Sequence, residues 1–132
     1  MSTEVRVGYV MEDGSFHDLT VEPDLNGGHI EVFTKLLGSR GVTILPASGR
    51  WKIAVAADAA LFGEVDANPV LTQLAATFGY RPDDSSARVG ALAGRAVFFT
   101  VDRDSGALTS LTATKARLLE EAWSSAFRNS NA

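Results

Sequence analysis

The residues of this chain best suited to hold a metal or carry a proton near neutral pH are its two histidines, His17 and His29. Imidazole combined with a carboxylate such as Asp18 or Glu31 suits zinc and other divalent ions. The two histidines are twelve positions apart (29 minus 17), off any i, i+4 helical spacing, and no third strong ligand accompanies them. No metal is expected. Serine, histidine and aspartate are all present, but the GxSxG elbow that exposes a nucleophilic serine at a strained strand-to-helix turn is absent. Ser105, in DRDSGA, reads more simply as part of a hairpin turn at Gly106. The acidic pairs Asp83-Asp84 and Glu120-Glu121 invite comparison with acid–base dyads. Adjacent residues of a helix point about 100° apart, so Glu120 and Glu121 cannot share a proton, and Asp83-Asp84 reads as a solvated loop. No catalytic residue and no cofactor are expected.

Binding chemistry is better represented. GALAG at 90–94 has too few glycines for a dinucleotide fingerprint and lacks the Lys-Ser/Thr of a P-loop. Arg88 and Arg95 flank it, and with His29 they make a candidate site for a nucleotide-like anion. Arg40, Arg50, Trp51, Tyr80 and Arg81 are of the types enriched at interface hot spots. All five arise in or beside LLGSRGVTILPASGR, 36–50, and RPDDSSAR, 81–88, two stretches with long polar turns. Such loops on a rigid scaffold often carry binding residues.

The elements that must position these groups follow from periodicity and punctuation. Val5, Val7 and Tyr9 alternate as in a strand, and Phe16, Leu19 and Val21 resume the apolar pattern after Asp13-Gly14, a hairpin signal. Pro23 closes that second strand. Residues 29–37 fit either a helix (Ile30, Phe33, Leu37) or a strand (Ile30, Val32, Leu36). Strands are expected at Val42–Leu45, at Trp51–Ala57 and at 96–102, where AVFFTVD has bulky residues on both faces, as in an interior strand covered on each side. Ala107–Leu111 is expected to return antiparallel after the turn at Asp104–Gly106. A last, amphipathic helix carries Ala116, Leu119, Trp123 and Phe127 on one stripe, widened by Leu118, Ala122 and Ala126, with Thr112 as its N-cap.

GEVDANPVLTQLA, 63–75, looks like a loop rich in function but has a structural explanation. Asn68 can accept a backbone N–H as a helix cap, Pro69 suits the first helical position, and Leu71, Leu74, Ala75 and Phe78 form the apolar stripe. Gly79 supplies the stop, while Glu64 and Asp66 sit where a helix dipole favours acids. With GGHIEV at 27–32, WKIAVAADAALFG at 51–63 and VGALAGRAVFFT at 89–100, the segment VDANPVLTQLA at 65–75 resembles a family of small actinobacterial, phage and plasmid proteins known only as a domain of unknown function. The pieces span about three-quarters of the chain. The resemblance implies a mobile-element origin and favours a strand for His29 to Leu36; it implies no catalytic residues.

The bulk properties bound the rest. At 132 residues without cysteine the chain suits one globular domain, 1–132, with a polar tail at 128–132 that is expected to fray. Disulfides, thiolate nucleophiles and cysteine-ligated zinc are excluded. The net charge of −4, with basic residues scattered singly, disfavours direct binding to a nucleic-acid backbone. The N-terminus does not read as a signal peptide and no apolar run reaches membrane-spanning length, so a cytoplasmic protein that does not bind membranes is expected. The expected class is α+β: a mostly antiparallel sheet with two or three helices packed on one side. The functional expectation is a non-enzymatic binding or regulatory protein, an accessory factor acting on another protein through Arg40, Arg50, Trp51, Tyr80 and Arg81. Binding of a nucleotide-like anion at His29, Arg88 and Arg95 is the alternative, and an enzyme of unassigned reaction the third. The stripe at Trp123 and Phe127 would also suit a homo-oligomer.

Overall fold

A computed structural model of the chain describes residues 4–22, 30–38, 41–56, 68–80 and 94–130, with the backbone alone at Ile30 and Ser130. Strands β1 (Val5–Val10), β2 (Phe16–Val21), β3 (Val42–Pro46), β4 (Trp51–Ala56), β5 (Ala96–Val101) and the short β6 (Leu108–Thr109) form one antiparallel sheet. Its order is β2-β1-β5-β4-β3, with β6 sharing the edge of β5 that β1 occupies further along. Among the described residues three helices, α1 (Ile30–Leu37), α2 (Pro69–Thr77) and α3 (Ala113–Ser130), accompany the sheet in an α+β architecture.

Side-chain alternation along β5 decides where the helices go. Ala96 and Phe98 point to one face, into a cluster with Trp51, Ile53 and Val55 of β4, Leu71 and Leu74 of α2, Phe78 at its end and Leu119 of α3. Val97 and Phe99 point to the other face, against Val7, Ala54, Phe33 and Leu37. The helices therefore cover both faces, where packing on one side was expected. The reason is α1: its apolar residues follow helical spacing, and the Phe33 ring lies 4.8 Å from that of Phe99. The strand that the family resemblance favours for this segment does not form over 30–37.

Local signals account for the connections. Met11 to Ser15 is a hairpin in which Gly14 N–H donates to Met11 O and Met11 N–H to Ser15 O, with Gly14 at φ +85°. That is a type I turn followed by a left-handed residue, the usual three-residue loop between right-twisted strands. At Gly8 the backbone lies close under α3: a Cβ there would come within 2.2 Å of Leu119 Cδ2. Thr112 Oγ1 accepts the N–H of Lys115, capping α3 as expected. That helix runs through Ser130. Ala116, Leu119 and Ala126 are buried in its stripe, and Trp123 Nε1 donates to Gly14 O at 2.8 Å. Leu118 does not widen the stripe as expected; it is 51% exposed, because its position turns it away from the sheet.

Asn68 joins three segments. Its Oδ1 accepts Leu71 N–H at the start of α2, while Nδ2 donates to Met11 O at 2.9 Å and Gly94 O at 3.0 Å. At 2% exposure the amide is thus fully used, as a buried polar group must be. Pro69 takes the first helical position. At the other end of α2, Tyr80 N–H bonds Ala75 O and Gly79 N–H bonds Ala76 O, the paired pattern of a Schellman stop. Gly79, at φ +94°, lies against the turn that leads into β4: a Cβ would meet Ser48 Oγ at 1.9 Å. Glu64 and Asp66 lie outside the described residues.

Candidate functional site

Antiparallel pairing of Trp51 with Thr100 places the β3–β4 turn and the β5–β6 turn side by side at one end of the sheet. Val101 N–H donates to Arg50 O at 3.1 Å and closes the junction. Between the turns is an open cleft of about 580 Å³ lined by Gly49, Arg50, Lys52, Val101, Arg103 and Gly106. Lys52 alternates with Trp51 and Ile53, which face α2 and α3, so its side chain leaves on the α1 face, where Val101 also packs. Arg50 and Arg103 are exposed on the turns themselves.

Three cations thus line one concavity, and among the described residues none of the three has a salt-bridge partner. Of the neighbouring acids, Asp102 is engaged mainly within its own turn, with the Arg50 charge adding a smaller pull on its carboxyl. Asp102 Oδ1 accepts the N–H groups of Ser105 (3.0 Å) and Asp104 (2.8 Å), and those bonds hold its carboxyl below the usual carboxylate range. Gly49 (φ +61°) and Gly106 (φ +71°) both need left-handed backbone, and a Cβ on either would meet no atom within 4 Å. The walls of the cleft at these points are bare backbone.

The opposite end of β5 handles charge differently. Arg95 Nε and Nη2 donate to the two carboxylate oxygens of Glu12 at 2.6 and 3.1 Å, and Nη1 donates to Tyr9 Oη at 3.2 Å. Tyr9 Oη in turn donates to Leu36 O at 2.6 Å, tying α1 to the sheet. The bidentate pair raises the Arg95 pKa and lowers that of Glu12. Arg95 was expected in an anion site with His29 and Arg88; its charge is already matched, and His29 and Arg88 lie outside the described residues. On the outer hairpin Arg6 is paired in the same way with Asp18.

Of the residues expected to contact a partner protein, the described ones, Arg50, Trp51 and Tyr80, do not share one exposed surface. Trp51 is 9% exposed, with its ring 4.5 Å from that of Phe78, so it belongs to the core. Tyr80 is half-buried against the same cluster. Arg50 alone of the described members is exposed, and it belongs to the cleft. Arg40 and Arg81 lie outside the described residues, as do Asp83 and Asp84. Lys52 and Arg103 were missed by sequence reasoning. The available signal was two Gly-bearing turns, each beside an arginine, but nothing local says that their strands pair.

Histidine and serine do meet, at the first hairpin. Ser15 Oγ lies 3.2 Å from His17 Nε2. Asp13 Oδ1 bonds Ser15 N–H instead of the second histidine nitrogen, and Gly14 N–H is occupied by Met11 O. Among the described residues the pair therefore lacks the orienting carboxylate of a triad, and Gly14 offers no oxyanion donor. No group of three or more metal-ligating side chains occurs among the described residues. No helix among them is long and apolar enough to cross a membrane.

No model of a known protein family, no curated protein and no solved structure matches the chain. The likeness to a domain-of-unknown-function family rests on the residues quoted above.

Proposed function

We propose that the protein is a non-enzymatic binding protein that takes up a small anion in the cleft between the β3–β4 and β5–β6 turns. One observation carries this reading: Arg50, Lys52 and Arg103 line one concavity with no salt-bridge partner among the described residues, whereas Arg6 and Arg95 are paired. Leaving like charges together lowers no folding energy, and a bound anion relieves their repulsion. The volume of about 580 Å³ lies in the small-molecule range. Thermal unfolding in the presence of an anion panel tests it, since a ligand at 100 times its Kd stabilises by about 2.7 kcal/mol. Wild type should shift and the R50Q/K52Q/R103Q variant should not; equal shifts in both would remove the cleft from the account.

A second reading, in which the cleft receives an acidic group of a host protein, is favoured by Arg50 and Arg103 standing exposed at the tips of their turns. Such a protein would act as a phage- or plasmid-borne accessory factor, in keeping with the mobile-element origin that the resemblance implies, in the cytoplasm of its host. A host protein captured by wild type and released by R50Q/K52Q/R103Q supports this reading; capture that ignores the substitutions refutes it.

A further inference from the structure

The geometry points to the phosphate chain of a di- or triphosphate, and not to a nucleobase, as the chemistry recognised at the cleft; this inference rests on the anion-binding reading above. Arg50 and Arg103 each bring a planar fork of five N–H donors, suited to bidentate contact with phosphate oxygens, and Lys52 adds a compact third charge. A single phosphate monoester carries close to two charges near neutral pH and leaves part of this set unmatched. A chain of two or three phosphoryl groups engages all three cations.

The lining argues equally against a base. Among the described residues it holds no aromatic ring, and Val101 is its one apolar side chain. Aromatic stacking, worth about 1–3 kcal/mol per base, is therefore missing from these walls. Neither Asp102 nor Asp104 lines the cleft. Gly49 and Gly106 leave open space where side chains would otherwise project, so phosphoryl oxygens can approach the main chain on both sides. Recognition then depends on charge number and on the length of the phosphate chain, whatever is attached to it.

The test is an amide NMR titration of the full chain with inorganic triphosphate, ATP, GTP, adenosine and hexaglutamate, each free of divalent cations. Inorganic triphosphate, ATP and GTP should move the amides of Gly49–Lys52 and Val101–Gly106 with affinities within about threefold of one another, because none gains a stacking contact. Adenosine should move none of them, and R50Q/K52Q/R103Q should weaken triphosphate at least about tenfold while its remaining spectrum stays wild-type. A preference of about tenfold or more for ATP or GTP over inorganic triphosphate overturns the inference. If hexaglutamate moves the cleft amides and triphosphate does not, the phosphate inference fails and the acidic-partner reading stands. If no anion moves them, both the inference and the proposed function fail.

Discussion

Arg95 precedes β5 and Arg103 follows it, and the two ends of the strand handle their cations in opposite ways. At the Ala96 end, Arg95 is clamped by Glu12 and Tyr9, and Asn68 gathers Met11 and Gly94 onto the start of α2. Every polar group named there is answered by another part of the chain. At the Val101 end, Arg50, Lys52 and Arg103 surround an open cleft while Asp102 is bound into its own turn. Both ends use the same materials: tight turns, a glycine of positive φ and charged side chains. The difference teaches where to look for function. A paired arginine supports the fold, and an unpaired group of cations in a concavity is available to something else.

Substitutions can break this contrast, beginning with Asn68. Asn68→Ala should remove about 2–4 kcal/mol of stability in urea unfolding, combining a lost cap with two lost part-buried hydrogen bonds, to Gly94 O and to Met11 O, which keeps only Gly14 N–H. Asn68→Ser, which restores only the cap acceptor, should recover about 1 kcal/mol of that. A loss below about 0.5 kcal/mol for the alanine variant would mean that this junction does not hold the Ala96 end together.

Next in size is the stop of α2. Gly79→Ala should cost about 2–3 kcal/mol, since it puts a Cβ at φ +94° and onto Ser48. Because Ser48 N–H bonds Phe78 O at 2.7 Å, the change should also disturb the turn that carries Arg50 and weaken anion binding with it. Unaltered affinity in that variant would separate the cleft from its scaffold.

Smaller effects sharpen the comparison. Glu12→Gln should lower stability by less than about 1 kcal/mol, the range of exposed ion pairs. Hydrogen bonding from Arg95 holds Glu12 below its ordinary pKa, so its contribution is full above about pH 4.3 and fades as pH falls through the folded-state value. Stability curves of wild type and Glu12→Gln should therefore separate at neutral pH and converge in acid; parallel curves would deny the pair any role. At the other end, Arg50→Gln, Lys52→Gln and Arg103→Gln should each change stability by no more than about 0.5 kcal/mol. A single loss above about 1 kcal/mol would show that the cleft cations, too, support the fold.

Much of the scaffold was legible in the residues because its signals are local. Alternation marked β1 and β4, Asp13-Gly14 marked the hairpin, and Asn68-Pro69 and Gly79 marked both ends of α2. The double-sided apolar run at 96–101 correctly announced a strand covered on both faces, although the helices were expected on one side. Residues 30–37 were ambiguous because eight residues fit both periods; Phe33 packing on Phe99 resolves it, and that contact joins distant parts of the chain. Trp51 is a hot-spot candidate by type alone, and its type is common both at interfaces and in cores such as the one it occupies. The cleft was least legible. It exists only because β4 pairs with β5, and such a pairing leaves no trace in either segment alone.

The placement of β5 has a further consequence for how the chain is made. β1 and β2 form one hairpin, β3 and β4 another, and the strand that joins them is encoded after both. As the chain leaves the ribosome, the two hairpins must wait, each with one long edge unsatisfied, until residues 96–101 arrive to pair with Gly8–Val10 on one side and Trp51–Val55 on the other. Partners so far apart in sequence are slow to find each other, and open edges meanwhile invite pairing between chains. The same late strand carries one wall of the cleft, so binding competence comes only with the final closure of the sheet.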